Sequence, residues 1–295
     1  MKPIQNRRSN LRRFRFGLTT LTGLARRGFF IPYRYAAGVT NAGSRPVTVS
    51  ATQAFAEAEP QFLQVLADIE AMAGDLERIA GPQTADAPNP APRWAQAWFP
   101  PLDACVAYAL VRSRKPRRIV EVGSGHSTRF LARAVHDGGL TASITAIDPA
   151  PRAKLAGLSV GGQAVEWRRG TVQEAGLAPF AALQAGDILF IDSSHILMPG
   201  TDVDLLFNHV LPALPNGTLV HIHDIFLPDD YPISWDWRGY NEQLAIVPML
   251  TGGWKTLFAS RYAETRMAPA LQTSPVAKLP NPEGAPASSL WLEKV

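Results

Sequence analysis

Within eight consecutive residues, Glu121-Val-Gly-Ser-Gly-His-Ser-Thr128, the chain places a carboxylate, two glycines and three hydroxyls. Such a cluster can hold a small ligand against the main chain. Gly123 and Gly125 reach backbone angles closed to other residues, which lets a ligand approach the backbone around Ser124. Ser127 or Thr128 can cap a helix whose free N–H groups point at that ligand. Glu121 precedes the first glycine by two residues, a placement that suits a ligand bearing an ammonium group better than one bearing a pyrophosphate. The dinucleotide fingerprint G-x-G-x-x-G is incomplete, because Thr128 stands where its third small residue belongs. A tight strand-to-helix turn that binds nothing is the competing reading. Asp148 falls 23 residues after Gly125, where a nucleotide-binding fold places the acid that accepts hydrogen bonds from ribose hydroxyls. Pro149 and Pro151 beside it also suit an ordinary helix cap.

Proton transfer near neutral pH points to histidine. Four of the six, His126, His195, His221 and His223, fall at predicted strand ends or in the loops after them. Open α/β folds bind their ligands along that carboxyl edge. His136 and His209 fall within predicted helices, where a surface or packing role is the better reading. The fourth predicted strand ends in Asp192-Ser-Ser-His195 and the fifth in His221-Ile-His-Asp224. In a doubly wound order these strands are neighbours, so Asp192 and the His223–Asp224 pair can meet.

Alternating strands and helices must position these residues. Apolar runs predict strands at 118–122, 142–148, 164–169, 187–192 and 218–224, with helices near 126–137, 150–156, 173–184 and 201–213. A helix near 238–250, a strand at 254–259 and a last strand at 288–294 follow, with the Pro- and Ala-rich 267–287 joining the final two. This pattern argues for an α/β, Rossmann-like fold: seven mostly parallel strands with helices on both faces. Upstream, Phe62, Leu66, Ile69, Met72, Leu76 and Ile79 predict an amphipathic helix over 56–80. A Pro-rich stretch, Gly81 to Pro92, and a helix over 102–114 come next. The expected division is a basic arm at 1–50, a helical extension and linker at 51–92, and the main domain at 93–295. Trp94, Trp98 and Phe99, with Tyr231, Trp235, Trp237 and Tyr240, form either an aromatic lid over an acceptor or part of a core.

The 295 residues suffice for one large domain with additions or two small ones. No uninterrupted apolar run of about 18 residues predicts a membrane span. The single cysteine, Cys105, excludes an intrachain disulfide and fits a reducing compartment; its apolar neighbours mark it as core. The net charge of +4 conceals an asymmetry. Residues 1–56 hold ten Arg or Lys and no Asp or Glu, which leaves 19 basic against 25 acidic residues, a balance of −6, for the rest. In the arm, Leu11, Phe14, Leu18 and Leu21 form one helical stripe beside Arg12, Arg13 and Arg15. It reads as a packed helix with solvated arginines, as a peripheral contact with a membrane or another anionic partner, or as an organelle transit peptide. Arg26 and Arg27 break the apolar region and exclude a secretory signal. The expected location is cytoplasmic, with membrane association through the arm; self-association is a further expectation.

Glu121-Val-Gly-Ser-Gly125 resembles the first motif of class I methyltransferases, which bind S-adenosylmethionine. The resemblance covers roughly 118–295. It implies that Glu121, Gly123, Ser124, Gly125, Ser127, Asp148 and Val172 line the S-adenosylmethionine site, Val172 following the third strand where the family places its adenine pocket. The last two strands would form the family's reversed hairpin. Asp192 with His223–Asp224 resembles metal-dependent O-methyltransferases, including catechol and macrolide-sugar O-methyltransferases. That resemblance implies a divalent cation held by Asp192, His223 and Asp224. His223 departs from the family, which has a carboxylate there, and an imidazole shifts selectivity from Mg²⁺ toward Mn²⁺, Fe²⁺ or Zn²⁺. The family's general base lies three residues after the first metal acid, which makes His195 the base and Asp192 its catalytic partner. The implied reaction is methyl transfer to a hydroxyl of a small molecule or glycan. The Asn/Asp-Pro-Pro-Tyr signature of methyltransferases acting on nucleic-acid bases is absent, so nucleic acid is not the expected partner. Two alternatives stay open on the same scaffold. One is a non-methylating binding or hydroxylase-like protein, since relatives of cephalosporin hydroxylase resemble this pattern. The other is an NAD-dependent oxidoreductase, which the acid at 148 permits.

Overall fold

A computed structural model describes residues 5–80, 91–160 and 163–295. Most of the predicted linker, 81–90, falls outside the described residues. The chain divides into two compact units, one formed by residues up to Pro46 with Asp230–Tyr240, the other by Val47–Asp229 with Asn241–Val295.

In the smaller unit, helix α1 (Gln5–Leu21) carries the predicted stripe. Leu11, Phe14, Leu18 and Leu21 are exposed, so the rest of this unit does not cover the stripe. Asp230 accepts hydrogen bonds from the Gly43 N–H (2.7 Å) and the Arg45 Nε–H (3.0 Å). The Arg238 guanidinium lies 3.9 Å from the Trp235 ring centre and 5.3 Å from that of Tyr240, and Tyr231 meets Tyr240 edge to face. These aromatics pack on one another.

In the larger unit all seven predicted strands form: β1 (Arg118–Val122), β2 (Ser143–Ile147), β3 (Glu166–Arg168), β4 (Ile188–Ile191), β5 (Leu219–Ile222), β6 (Trp254–Ala259) and β7 (Leu290–Lys294). Their order in the sheet is β3-β2-β1-β4-β5-β7-β6. The first five in that order run parallel, and β7 is antiparallel to both neighbours. Parallel strands covered on both faces read as unbroken apolar runs; every residue of β4 and β5 is buried. From β1 the connections lead outward in both directions, so the crevice at the carboxyl ends of β1 and β4 is the topological switch point where such sheets bind ligands.

The helix predicted over 56–80 is three helices, α2 (Val49–Glu57), α3 (Glu59–Ala71) and α4 (Ala73–Ala80). Pro60 near the start of α3 lacks an N–H and favours a new first turn. α3 buries Phe62, Val65, Leu66 and Ile69, and the Phe62 ring lies 5.2 Å from that of Phe258 in β6. The extension therefore shares the core of the sheet. α5 (Pro101–Arg114) packs against α3 and against α6 (His126–Asp137) and is buried as far as Val111. Cys105 sits inside it as a fully buried core residue.

Proline and glycine overrule three other helix expectations. Over 150–156 no helix forms; Pro149 and Pro151 carry the chain through bends and turns to a small hairpin, Ser159–Val160 with Gln163–Ala164. The helix expected over 173–184 is two single turns, α7 (Val172–Ala175) and α8 (Ala178–Ala181), separated by Gly176 at φ 67. The helix expected over 201–213 starts as α9 (Asp202–Leu205), widens into a π turn at Leu206–Val210 and ends as a 3-10 turn containing Pro212. The helix placed near 238–250 is confined to α10 (Gln243–Met249). The 267–287 connection also carries short helices, at Ala268–Gln272 and Pro275–Lys278.

Candidate active site

From the end of β1 the chain turns through Gly123 (φ 77) and Gly125 (φ 156, ψ −112) into α6. A Cβ on Gly123 would lie 1.7 Å from the carbonyl oxygen of Asp192. The close approach of the β1 and β4 ends therefore demands glycine here. Asp148, at the end of β2, fastens this loop. Its Oδ2 accepts from the Ser124 N–H (2.7 Å) and Oγ–H (3.0 Å), and its Oδ1 from the Ala150 N–H (2.7 Å). A carboxylate offers about four acceptor positions, so some capacity remains for a ligand hydroxyl. The Thr128 Oγ accepts from the Gly125 N–H (2.9 Å), which gives the residue in the third-glycine position a role in closing the loop.

Beneath the loop, Glu121 is fully buried. Its Oε1 accepts from the Ser127 hydroxyl at 2.6 Å, while Oε2 is buried without a hydrogen-bond partner among the described residues. Burial outweighs the opposing Ser127 and Thr128 hydroxyls and, with the Asp192 and Asp148 carboxylates nearby, pushes the Glu121 carboxyl up to about 8. A buried acid with an unsatisfied oxygen under a glycine turn fits a ligand that brings its own positive charge. Val172, the first residue of α7, is buried behind its capping Thr171, whose Oγ accepts from the Glu174 N–H (3.3 Å).

The ends of β4 and β5 bring four of the predicted residues together. His195 and Asp224 both adopt positive φ, 61 and 56, a conformation rare outside glycine and common at functional sites. Asn241 holds the His195 loop: its N–H donates to the His195 carbonyl (3.1 Å), and its Oδ1 accepts from the Leu197 N–H (2.7 Å). The buried His195 ring has Nε2 at 3.4 Å from Asp192 Oδ1 and 3.3 Å from Asp224 Oδ2. Its Nδ1 lies 2.9 Å from Oε2 of Glu242. Burial alone would lower the pKa of His195, but Asp224, Asp192 and Glu242 outweigh it and hold the imidazole well above its ordinary value. Burial works against ionised Asp192 too, yet His223, His195 and Arg152 keep that carboxyl well below the usual range.

Glu242 is the residue of this corner that sequence reasoning missed. It is fully buried, its Oε1 has no hydrogen-bond partner among the described residues, and no motif surrounds it. A second supporting acid is Asp103 of α5, also fully buried. It accepts from the N–H groups of Ser288 (3.0 Å) and Ser289 (3.1 Å). The Ser288 hydroxyl donates to Asp224 (3.2 Å), and the Ser289 hydroxyl lies 3.4 Å from His223 Nδ1. α5 thereby fastens the start of β7 beside His223 and Asp224.

Other histidines and aromatics fall elsewhere. His221 is not at the sheet edge; it lies inside β5, fully buried and stacked on Phe190 with ring centres 3.6 Å apart. It is a packing residue. His126 opens α6 beside the glycine loop, where burial, with Arg93 and Arg129 nearby, lowers its pKa to about 4. Trp94 and Phe99 are buried against Phe130 and belong to the core, whereas Trp98 is exposed beneath the Arg152 guanidinium, 4.6 Å from its ring centre.

The expected metal ligands, Asp192, His223 and Asp224, occupy one corner, with His223 Nε2 3.7 Å from Asp224 Oδ1. Yet among the described residues no three His, Cys, Asp or Glu side chains converge as a metal site. His195 Nε2 contacts both carboxylates instead.

Residues 120–225 match the family model described as a methyltransferase domain. No curated protein matches the chain. Similar solved structures include the plantazolicin methyltransferase BpumL, at 14% identity over 66% of this chain and 84% of that one, with a TM-score of 0.41. The O-methyltransferase TomG from Streptomyces achromogenes is similar at 14% identity, covering 78% and 89%, with a TM-score of 0.38. The Podospora anserina methyltransferase PaMTH1 is similar at 13% identity, covering 91% and 99%, with a TM-score of 0.38. The matched segment spans the carboxyl edge of the sheet from β1 to β5.

Proposed function

We propose that this chain is an S-adenosylmethionine-dependent methyltransferase that methylates a hydroxyl of a small molecule or glycan, with His195 as the group that moves the acceptor proton. The observation that carries this reading is the buried Glu242–His195 pair, whose Nε2 faces Asp192 and Asp224 next to the glycine loop. S-adenosylmethionine supplies an electrophilic methyl group on a sulfonium. Glu121 is assigned to its ammonium group, Asp148 to its ribose, and Val172 to its adenine. Ser124, Ser127 and the two glycines shape the cradle.

Glu242 fixes the Nδ1 side of the imidazole and leaves Nε2 toward the acceptor. In its neutral form Nε2 takes the acceptor O–H proton as the new C–O bond forms and the C–S bond breaks. Asp192 and Asp224 then stabilise the imidazolium produced. Because these acids raise the pKa of His195, the neutral form grows with rising pH. A divalent cation is the other way to supply positive charge to Asp192, His223 and Asp224; no step here depends on one.

The test is methyl transfer from labelled S-adenosylmethionine to a panel of hydroxyl-bearing acceptors. His195→Gln should lower kcat by about 10²- to 10⁴-fold, the usual worth of a positioned acid–base group, with donor affinity unchanged. Donor binding without turnover on any hydroxyl would favour the hydroxylase-like alternative. Competition by a nicotinamide dinucleotide for the same loop would favour the oxidoreductase.

A further inference from the structure

The arm holds a continuous exposed apolar surface that the catalytic residues do not use. Along α1, Leu11, Phe14, Leu18 and Leu21 recur at three- and four-residue spacing and are 62%, 66%, 51% and 63% exposed. Beyond the helix, Leu24 and Phe30 are 81% and 68% exposed. Scattered exposed apolar residues are ordinary, but a run of them on one segment marks a contact surface.

Charge states what kind of contact. Residues 1–56 contain ten basic residues and no acidic one, while the rest of the chain is net acidic. The Arg26 and Arg34 guanidinium groups lie over the rings of Phe29 and Tyr35, 5.2 and 5.8 Å from their centres. Cationic and apolar groups are thus interleaved at the same level of the surface, as the headgroup zone of an anionic bilayer requires. No helix among the described residues is long and apolar enough to cross a membrane, so the contact is with a surface.

We propose that residues 5–35 form a docking surface for an anionic lipid bilayer, with the Leu11–Phe14–Leu18–Leu21 stripe entering the acyl boundary and the arginines facing the headgroups. A fluid interface accommodates both the helix and the irregular segment after it without shape complementarity. A protein groove would have to match both. Each basic residue near an anionic surface strengthens partitioning by about fivefold.

The test is sedimentation of the full-length chain with phosphatidylcholine vesicles, with and without phosphatidylserine, over a range of salt concentrations. Binding should require phosphatidylserine and weaken as salt screens the charges. The combined variant Leu11→Ser, Phe14→Ser, Leu18→Ser should partition at least about tenfold less. The combined variant Arg12→Glu, Arg13→Glu, Arg15→Glu should lose about a hundredfold or more. Both variants should keep the circular dichroism spectrum and S-adenosylmethionine affinity of the parent. Failure to bind phosphatidylserine vesicles overturns the proposal, as does salt-insensitive binding to phosphatidylcholine alone. Self-association in analytical ultracentrifugation that the serine variant abolishes, without vesicle binding, assigns the face to a second copy and likewise overturns it.

Discussion

Glu121→Gln should stabilise the empty protein and weaken its hold on the donor, two effects of opposite sign from one side chain. Burial raises the Glu121 carboxyl from 4.5 to about 8 in the folded chain. As pH rises past 4.5 the unfolded chain ionises first, so the folded state loses stability steadily until pH passes the folded value. The full difference corresponds to about 5 kcal/mol above pH 8, and to about 3 kcal/mol at pH 7. Glutamine has no charge to bury, and its amide oxygen can still accept from the Ser127 hydroxyl, now at 2.6 Å from the carboxylate. Urea unfolding followed by circular dichroism, in steps from about pH 5 to about pH 9 and without donor, should show the two proteins nearly equal at the acid end and diverging in favour of the variant. Calorimetry with S-adenosylmethionine should show the reverse preference, a loss of about 10- to 100-fold, the worth of a charged hydrogen bond. Parallel stability curves, or a less stable variant at about pH 8, would mean that Glu121 is already ionised and paired in the empty fold. Unchanged donor affinity would remove its assignment to the ammonium group.

Three further outcomes follow from the same corner. Glu242→Gln removes one of the acids that raise the His195 pKa, so the alkaline rise in kcat/KM should move to lower pH; a fixed profile contradicts the pairing. Asp103→Ala leaves the Ser288 and Ser289 N–H groups without their buried acceptor, which should cost about 3 kcal/mol in chemical denaturation. It should also lower kcat through Asp224 and His223, and a stability change within experimental error would show that Asp103 does not hold β7. Methyl transfer should persist in the presence of a chelator; a loss restored by Mn²⁺ but not by Na⁺ would show that the corner rearranges around a metal.

The middle of the sheet was legible because β4 and β5 are buried throughout. All seven predicted strands formed, and β1 and β6 begin and end where their patterns do. The other predicted strands overran mainly at polar ends such as Asp148 and Asp192, which lie just beyond the strand ends. Helices were misjudged where periodicity and backbone chemistry disagreed. The stripe from Phe62 to Ile79 is continuous, yet the chain breaks at Met72, because successive helices can keep one apolar face toward the same core. Over 150–156 and 173–184, proline and glycine decided the outcome. The arm's amphipathic pattern was legible, but an apolar stripe alone does not say whether the chain itself will cover it.

At the site, what the sequence revealed is what βα alternation guarantees: residues after parallel strands arrive at one edge. That logic brings Asp192, His195, His223 and Asp224 together, and it fails for His221, which the two-residue strand period places one step deeper. The same logic cannot find Glu242 or Asp103, because each reaches the corner from a separate element through tertiary packing. Those two acids change the chemistry of the corner. With a carboxylate at position 223, Asp192 and Asp224 would form part of an acidic cluster that calls for a divalent cation. Histidine at 223 removes one negative charge and, with His195, supplies two imidazoles to face those two carboxylates. Glu242 then secures His195 from behind at 2.9 Å. The departure from the metal-dependent pattern and the unexpected buried acid are therefore two parts of one arrangement, in which the His195 imidazole lies between two carboxylates in front and Glu242 behind.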